Sequence, residues 1–374
     1  MKRYANDLPR FLSLFALTVV AILLPRTSNA QDVRGLESEI AGVLTTHGVP
    51  GASIAVIVGD RVVWTAGIGV AESGLDRSVQ SNTLFQAASI SKPVAALGAL
   101  RLVESVKLTL DAPVGNYLKE SNFPARDVVT LRQLLSHTSG LSVSGFRGYP
   151  RGRPVPSLEQ ILLGQAPANS PAVVLEGRPG AQYRYSGGGY TVLQQVMIEV
   201  TGEPFPRAMA ALVLAPLAMK DSTYEQPLPE NLATRAATGH DSKSRPIAGR
   251  WNTYPEMAAA GLWTTAPDLA KYVLAVQKAY SGEVGGPIGQ ATAREMLRPQ
   301  IDDPALGSVT PGLGLFVNDP KGRFGHGGAN NGYKCRTLAT KSIGHGLVIM
   351  TNSDNGDKVF AAIERLIDNV FGRN

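Results

Sequence analysis

The stretch FQAASISKPVAALGALRLVE, residues 85–104, sets two serines, a lysine and a proline just ahead of an apolar helical pattern. Ser89 and Lys92 are three residues apart. With a helix starting near Ser89 they share one face, and Pro93 is tolerated in a first turn because its missing N–H would have had no partner there. A helix N-terminus stabilises developing negative charge, and a lysine one turn on can take a serine's proton. An ordinary ammonium is charged at neutral pH; partial burial lowers its pKa and makes it a usable base. Ser91 lies about 100° or more around the helix from both residues and has no lysine three positions on. Ser89 is therefore the candidate nucleophile. On its own such a spacing is more often a helix cap beside a surface lysine, so its weight depends on the rest of the chain.

The chain has 374 residues, and its first thirty read as a leader rather than as part of a fold. Lys2, Arg3 and Arg10 precede the apolar run FLSLFALTVVAILL and then PRTSNA, with small residues at Ser28 and Ala30. This is the layout of a secretory signal peptide cleaved after Ala30. The run of fourteen is short for a bilayer span, which needs roughly 20 apolar residues. No Cys follows it, so a lipid anchor is not indicated and no stable membrane anchor is expected after cleavage. Removing Lys2, Arg3, Arg10, Arg26 and Asp7 takes three positive charges off the formal +6, leaving +3 on residues 31–374. Lys and Arg are scattered along the chain, which gives no basis for a nucleic-acid partner. Cys335 is the sole cysteine. It excludes an internal disulfide and reads as a buried thiol within a strand-like stretch.

Apolar residues at Val33, Leu36, Ile40, Val43 and Leu44 follow helical spacing. ASIAVIVGDRVVWTAGIG then reads as two strands joined at Gly59-Asp60. Near the other end GLGLFV, YKCRTLA and GLVIMTN read as strands, and Val359, Phe360, Ile363, Leu366, Ile367 and Val370 as an amphipathic helix. The middle is mainly helical, over 89–105, 130–136, 157–164, 189–201, 205–214 and 265–280. Thr130 with Gln133, and Thr265 with Asp268, have the spacing of capping boxes. The expected architecture is an α+β fold, an α/β sandwich. An antiparallel sheet is built from both chain ends with flanking helices, and a mostly helical region is inserted between them. In residue terms this is a leader over 1–30 and one catalytic domain over 31–374, with sheet parts at 31–88 and 300–374 and a helical part at 89–299.

Two further stretches strengthen Ser89. YRYSGGGY places Tyr185, Ser186 and Gly187 in a glycine-rich loop entering a helix, and FGHGGANNGY places His326, Gly327 and Gly328 just after a strand. With these the chain resembles the serine β-lactamase and penicillin-binding-protein superfamily, whose motifs include Ser-x-x-Lys. It is most similar to the class C β-lactamase-related branch of esterases, D-aminopeptidases and penicillin-binding-type hydrolases. LLSHTSGL, LAPLAMKDSTY, AAAGLWTTAPDLAKY and LVIMTNSDNG extend the resemblance over about residues 35–370.

The resemblance implies Ser89 as the acylated nucleophile and Lys92 as its proton acceptor. It implies Tyr185 as general base or proton shuttle, with a pKa lowered by the neighbouring cation. It puts the oxyanion hole at the backbone N–H groups of Ser89 and Ala329, and substrate contacts at His326, Gly327, Gly328 and Gly187. Two departures matter. Gly187 stands where the branch usually has Asn, which removes a side-chain amide from the site. His326 stands where other members have Lys; with an ordinary pKa near 6.5 it would be charged in roughly a tenth of molecules at pH 7.5.

His137 in SHTSG reads as a structural turn residue, and His47, His240 and His345 show no metal-ligand spacing. No Gly-x-Ser-x-Gly elbow and no phosphate loop occurs, and neither a cofactor nor a metal is implied. The expected function is a secreted serine hydrolase that cleaves a small ester, an amide or a peptidoglycan-derived substrate through an acyl-enzyme. The alternatives are a β-lactamase, a D,D-peptidase or D-aminopeptidase, and a non-catalytic muropeptide- or β-lactam-binding protein.

Overall fold

A computed structural model describes residues 30–119 and 123–372; apart from Ala30, the expected leader lies outside the described residues. In chain order, helix α1 (Ala30–Thr46) leads into the hairpin β1 (Gly51–Gly59) and β2 (Arg61–Gly69). A short β3 (Phe85–Gln86) precedes α2 (Ser91–Glu104), α3 (Leu131–Leu135), β4 (Tyr149–Pro150) and α4 (Leu158–Leu163). Then come α5 (Gly187–Thr201), α6 (Phe205–Met209), α7 (Glu230–Ala233), β5 (Asn252–Thr253) and α8 (Met257–Ala260). The chain continues through β6 (Trp263–Thr264), α9 (Ala266–Ser281), α10 (Gln290–Met296), β7 (Thr310–Pro311) and β8 (Phe316–Asn318). It closes with β9 (Arg323–Asn330), β10 (Tyr333–Thr340), β11 (Gly344–Thr351) and α11 (Asp357–Phe371).

Seven strands form one antiparallel sheet in the order β2-β1-β11-β10-β9-β8-β7. The two chain ends meet where β1 pairs with β11, from Ala52 opposite Thr351 to Gly59 opposite Gly344. Both strands are buried on both faces, which is why they read as near-continuous apolar runs, whereas β2 alternates because it is an edge. One face packs Ile54, Val56, Leu347 and Ile349 against Leu36, Ile40 and Leu44 of α1 and Val359, Ile363 and Ile367 of α11. The opposite face, with Ala55, Ile57, Val348 and Met350, joins the larger core that includes α2, α5 and α9. Helix α9 comes from within the stretch 89–299 yet lies on β1 and β11. Each fully buried Leu, Ile or Val side chain contributes roughly 1.5–3 kcal/mol to this layering. No helix among the described residues is long and apolar enough to cross a membrane.

Local signals fared unevenly. The Thr130 box is complete, with Thr130 and Gln133 bonded reciprocally. The Thr265 box is only half made: Thr265 accepts from the Asp268 N–H, but the Asp268 carboxylate turns away to Asp221 N and Ser222 Oγ, each at 2.8 Å, and to Lys271. A further complete box, Ser157 with Gln160, starts α4. The His-Gly-Gly triplet, expected just after a strand, lies inside β9. The turn that follows, Asn331-Gly332 with Gly332 at φ +79°, is the hairpin signal that marks β9 and β10 as partners.

One acidic group is buried without compensation. Glu256, immediately before α8, has no exposed surface, and neither carboxylate oxygen has a hydrogen-bond partner in the structure. Burial pushes its pKa up to about 7. The folded chain therefore keeps a proton on Glu256 between about pH 4.5 and 7 that the unfolded chain releases, so the contribution of this group to stability falls as pH rises through that window. We expect the stability of wild type relative to Glu256→Gln to fall by on the order of 3 kcal/mol across it. Denaturant melts of both proteins at pH 5 and pH 8 measure the difference, which cancels every other titrating group.

Candidate active site

Ser89 sits not in the α-helix itself but in a 3-10 turn, Ala88–Ile90, that runs into α2. Ala88 holds φ at +50°, a left-handed conformation costing an L-residue about 1–2 kcal/mol. The surrounding packing enforces it: Ala87 N bonds to Leu262 O at 2.9 Å, and β9 presses on the turn at Gly328. A Cβ at Gly328 would lie 2.4 Å from Ala87 O and 3.3 Å from Ser89 N, so only glycine lets the strand and the turn approach this closely. Ser89 is left partly exposed, while Ser91 is fully buried with its Oγ accepting from Leu262 N at 2.9 Å. The two serines are thus separated into a reactive position and a structural one.

Lys92 is 2% exposed. Its Nζ donates to Ser89 Oγ at 3.1 Å and to the Ala259 carbonyl at 2.8 Å. Carbonyl and hydroxyl oxygens compensate an ammonium only in part, and burial lowers Lys92 to about 7. The Nζ also lies 4.9 Å from the ring centre of Tyr185 and 5.8 Å from that of Tyr190.

Tyr185 departs from expectation. The adjacent cation was expected to lower its pKa; instead burial raises it to about 12, with a hydrogen bond to Ser89 opposing the rise only in part. Its phenol is therefore a neutral hydroxyl near pH 7. The ring is held by His137, stacked on it with centroids 4.2 Å apart. The His137 backbone sits at φ +58°, fitting its turn position. Its Nδ1 also accepts the Ser186 N–H at 3.1 Å, which fixes the entry into α5 one residue after Tyr185. Burial and the nearby Lys92 keep this imidazole neutral, well below its usual pKa. Sequence reasoning gave His137 only a turn role; its position in SHTSG carried no signal for the stacking, which depends on two segments about fifty residues apart.

His326 likewise differs from an ordinary histidine. It is 6% exposed, its Nδ1 meets the Gly327 carbonyl at 2.5 Å, and its Nε2 is buried without a hydrogen-bond partner. Burial and Lys92 lower it to about 3, so it is neutral at pH 7.5 rather than charged in a tenth of molecules. Ser89, Tyr185, His326, Gly327, Gly328 and Ala329 line one cavity of about 410 Å³, bounded also by Phe316, Phe360, Cys335, Lys334 and Asp357. Gly187 stands apart from these, covered by Phe146. Cys335 is buried, its Sγ against Gln86 O and its thiol pushed up to about 12, which suits a structural role. Among the described residues no cluster of His, Cys, Asp or Glu is arranged to hold a metal.

The two glycines after His326 face different surroundings. A Cβ at Gly327 would meet nothing closer than Cys335 O at 3.9 Å and would project into free space. Gly327→Ala should leave the melting temperature unchanged and act only through the cavity. Gly328→Ala must displace the Ala87–Ser89 backbone, so it should lower the melting temperature and reduce activity by at least the roughly 10²-fold expected when reacting groups are misplaced by about 1 Å. Thermal melts with ester hydrolysis rates separate the two.

Comparison with known proteins bears on family and fold. Esterase EstB of Burkholderia gladioli is 30% identical over 249 residues, 62% of this chain and 62% of that enzyme, so the match spans about three fifths of EstB's length. Penicillin-binding protein 4 of Amycolatopsis lactamdurans is 26% identical over 86% of this chain and 85% of its own. Among solved structures, the octameric penicillin-binding protein homologue from Pyrococcus abyssi shares the fold, with TM-score 0.72 and 24% identity over 92% of this chain and 78% of that one. The Beta-lactamase family model matches residues 36–370, all but the ends of the chain, and this protein belongs to the beta-lactamase family.

Proposed function

We propose that the protein is a serine hydrolase that cleaves small esters through a Ser89 acyl-enzyme. The observation that carries this reading is the buried Lys92 amine, 3.1 Å from Ser89 Oγ and half deprotonated near pH 7, beside an open cavity. Neutral Lys92 takes the Ser89 proton as Oγ attacks the substrate carbonyl carbon. The oxyanion is received by the backbone N–H groups of Ser89 and Ala329. The Tyr185 hydroxyl relays the proton from Lys92 to the leaving oxygen as the carbonyl reforms and the ester bond breaks. Water then attacks the acyl-Ser89 ester by the same path in reverse, and the acid is released. Export by the N-terminal leader, with its basic start and apolar run over 11–24, is part of the proposal.

Lys92 serves as base only when neutral, so kcat/KM should rise with pH through about 7 and level off above it. A pH–rate profile on a nitrophenyl ester tests this. A fluorophosphonate probe should label Ser89 in wild type and in Ser91→Ala, and fail to label Ser89→Ala. A covalent mark on Ser91 or Ser186 would sink the assignment, and a complete lack of labelling in wild type would favour a non-catalytic binding protein.

Substrate preference follows from the neutral His326 and the glycine at 187. Neither supplies a fixed positive charge or a side-chain amide, so a carboxylated, amide-bearing substrate gains nothing at these two positions, and Lys334 is left as the lysine lining the cavity. We expect kcat/KM at pH 7.5 for nitrophenyl butyrate to exceed that for a chromogenic cephalosporin; the reverse order would promote the β-lactamase reading. One observation favours a peptidase as the second reading. On β9, strand β8 pairs with Arg323, Phe324 and Gly325 alone, so the outer edge of β9 beyond them is unpaired by strand among the described residues and offers a place for an extended peptide. Including D-amino-acid amides in the same assay decides between them.

A further inference from the structure

The loop from Ser142 to Gly148 crosses the first turn of α5. The carbonyls of Ser142, Val143 and Ser144 accept from Ser186 Oγ at 2.8 Å, Gly188 N at 2.9 Å and Gly187 N at 3.2 Å. Three residues on, the Arg147 carbonyl accepts from Asn252 Nδ2 at 3.0 Å and from the Tyr254 hydroxyl at 3.3 Å. Gly148, at φ +71°, lies so close to Tyr254 that a Cβ there would come within 2.6 Å of its ring. The loop is therefore fastened on both sides of Phe146.

These fastenings lead to the two walls of the cavity. Gly187 is two residues after Tyr185. On the other side, Asn252 O accepts from Gln86 Nε2 at 2.7 Å, three residues before Ser89, and Tyr254 OH accepts from Asn331 N at 3.1 Å, two residues after Ala329. Phe146 lies in the loop between these two sets of fastenings. Its half-buried ring covers the position where a side chain at 187 would begin: a Cβ on Gly187 would lie 3.0 Å from Phe146 Cε2 and 3.5 Å from Cδ2.

We propose that Phe146 determines acyl specificity, its ring filling the space of the absent 187 side chain and closing the acyl end of the site with an apolar wall. The proposal rests on the acyl-enzyme reading above. An aromatic wall gives a short alkyl chain apolar contact. It offers no hydrogen bond to an amide placed against it, and an unpaired amide there is costly. Because the loop is fastened at both ends, its backbone holds the ring in place over Gly187.

The test is kcat/KM of the full chain and of Phe146→Ala and Phe146→Leu on 4-nitrophenyl acetate, butyrate and octanoate. Wild type should fall off from butyrate to octanoate. Phe146→Ala should raise the octanoate-to-butyrate ratio by about tenfold, the scale on which apolar pockets discriminate chain length. Phe146→Leu, the milder change should Phe146→Ala not fold, should move the ratio in the same direction by less. An unchanged or lowered ratio in the folded variants overturns the proposal. Ser89→Ala run alongside keeps the two ideas apart. Loss of hydrolysis in Ser89→Ala with an unchanged Phe146 ratio discards only the role of Phe146. Hydrolysis persisting in Ser89→Ala discards the acyl-enzyme reading itself.

Discussion

Lys92 is a cationic side chain placed where cations are expensive, and the rest of the site is arranged around that placement. Nearly every residue of the first three turns of α2 is buried and Lys92 itself is 2% exposed, so its ammonium is largely desolvated. Two oxygens and two aromatic rings surround it. That environment is polar enough to admit the amine and too poor to keep it fully charged. The Ala259 carbonyl that holds it belongs to α8. The serine it addresses is held by a strained turn, and that turn is held by a glycine in β9. Moving any of these three would change the solvation of one nitrogen.

The same desolvation sets the other titrating groups around Ser89. Tyr185 is pushed up, His137 and His326 are pushed down, and all three are neutral at physiological pH. Lys92 is the member of this group that changes protonation near neutrality. Burial therefore leaves one labile proton among the groups packed around Ser89, while the cavity itself combines the neutral rings of Tyr185, His326 and Phe316, the last two 5.3 Å apart, with Phe360 and the charged residues Lys334 and Asp357.

Much of the fold was legible because its signals are local. The period of two in β2, the apolar runs of β1 and β11, the amphipathic spacing of α11 and the Thr130 box each require only neighbouring residues to be read. Strand β9 was missed because its glycines and His326 look nothing like a pleated, half-buried strand. Its residues are chosen for closeness to the Ala87–Ser89 turn rather than for β propensity. The Thr265 box was half wrong for a similar reason: a tertiary demand from Asp221 and Ser222 outcompeted the local partner for the Asp268 carboxylate.

By itself the sequence determined which side chains are present and how they are spaced: a serine and lysine one turn apart, a tyrosine before a helix start, a glycine pair beside a histidine. The three-residue spacing suits one helical turn, but Ser89 lies in the 3-10 turn before α2, where contacts from Leu262 and Gly328 hold it beside Lys92. Only the tertiary structure decided their chemistry. The pKa of Lys92, the neutrality of His326, the stacking of His137 on Tyr185 and the cover of Phe146 over Gly187 all depend on segments distant in the chain closing over one another. Desolvation is a property of that enclosure, and no short window of sequence contains it.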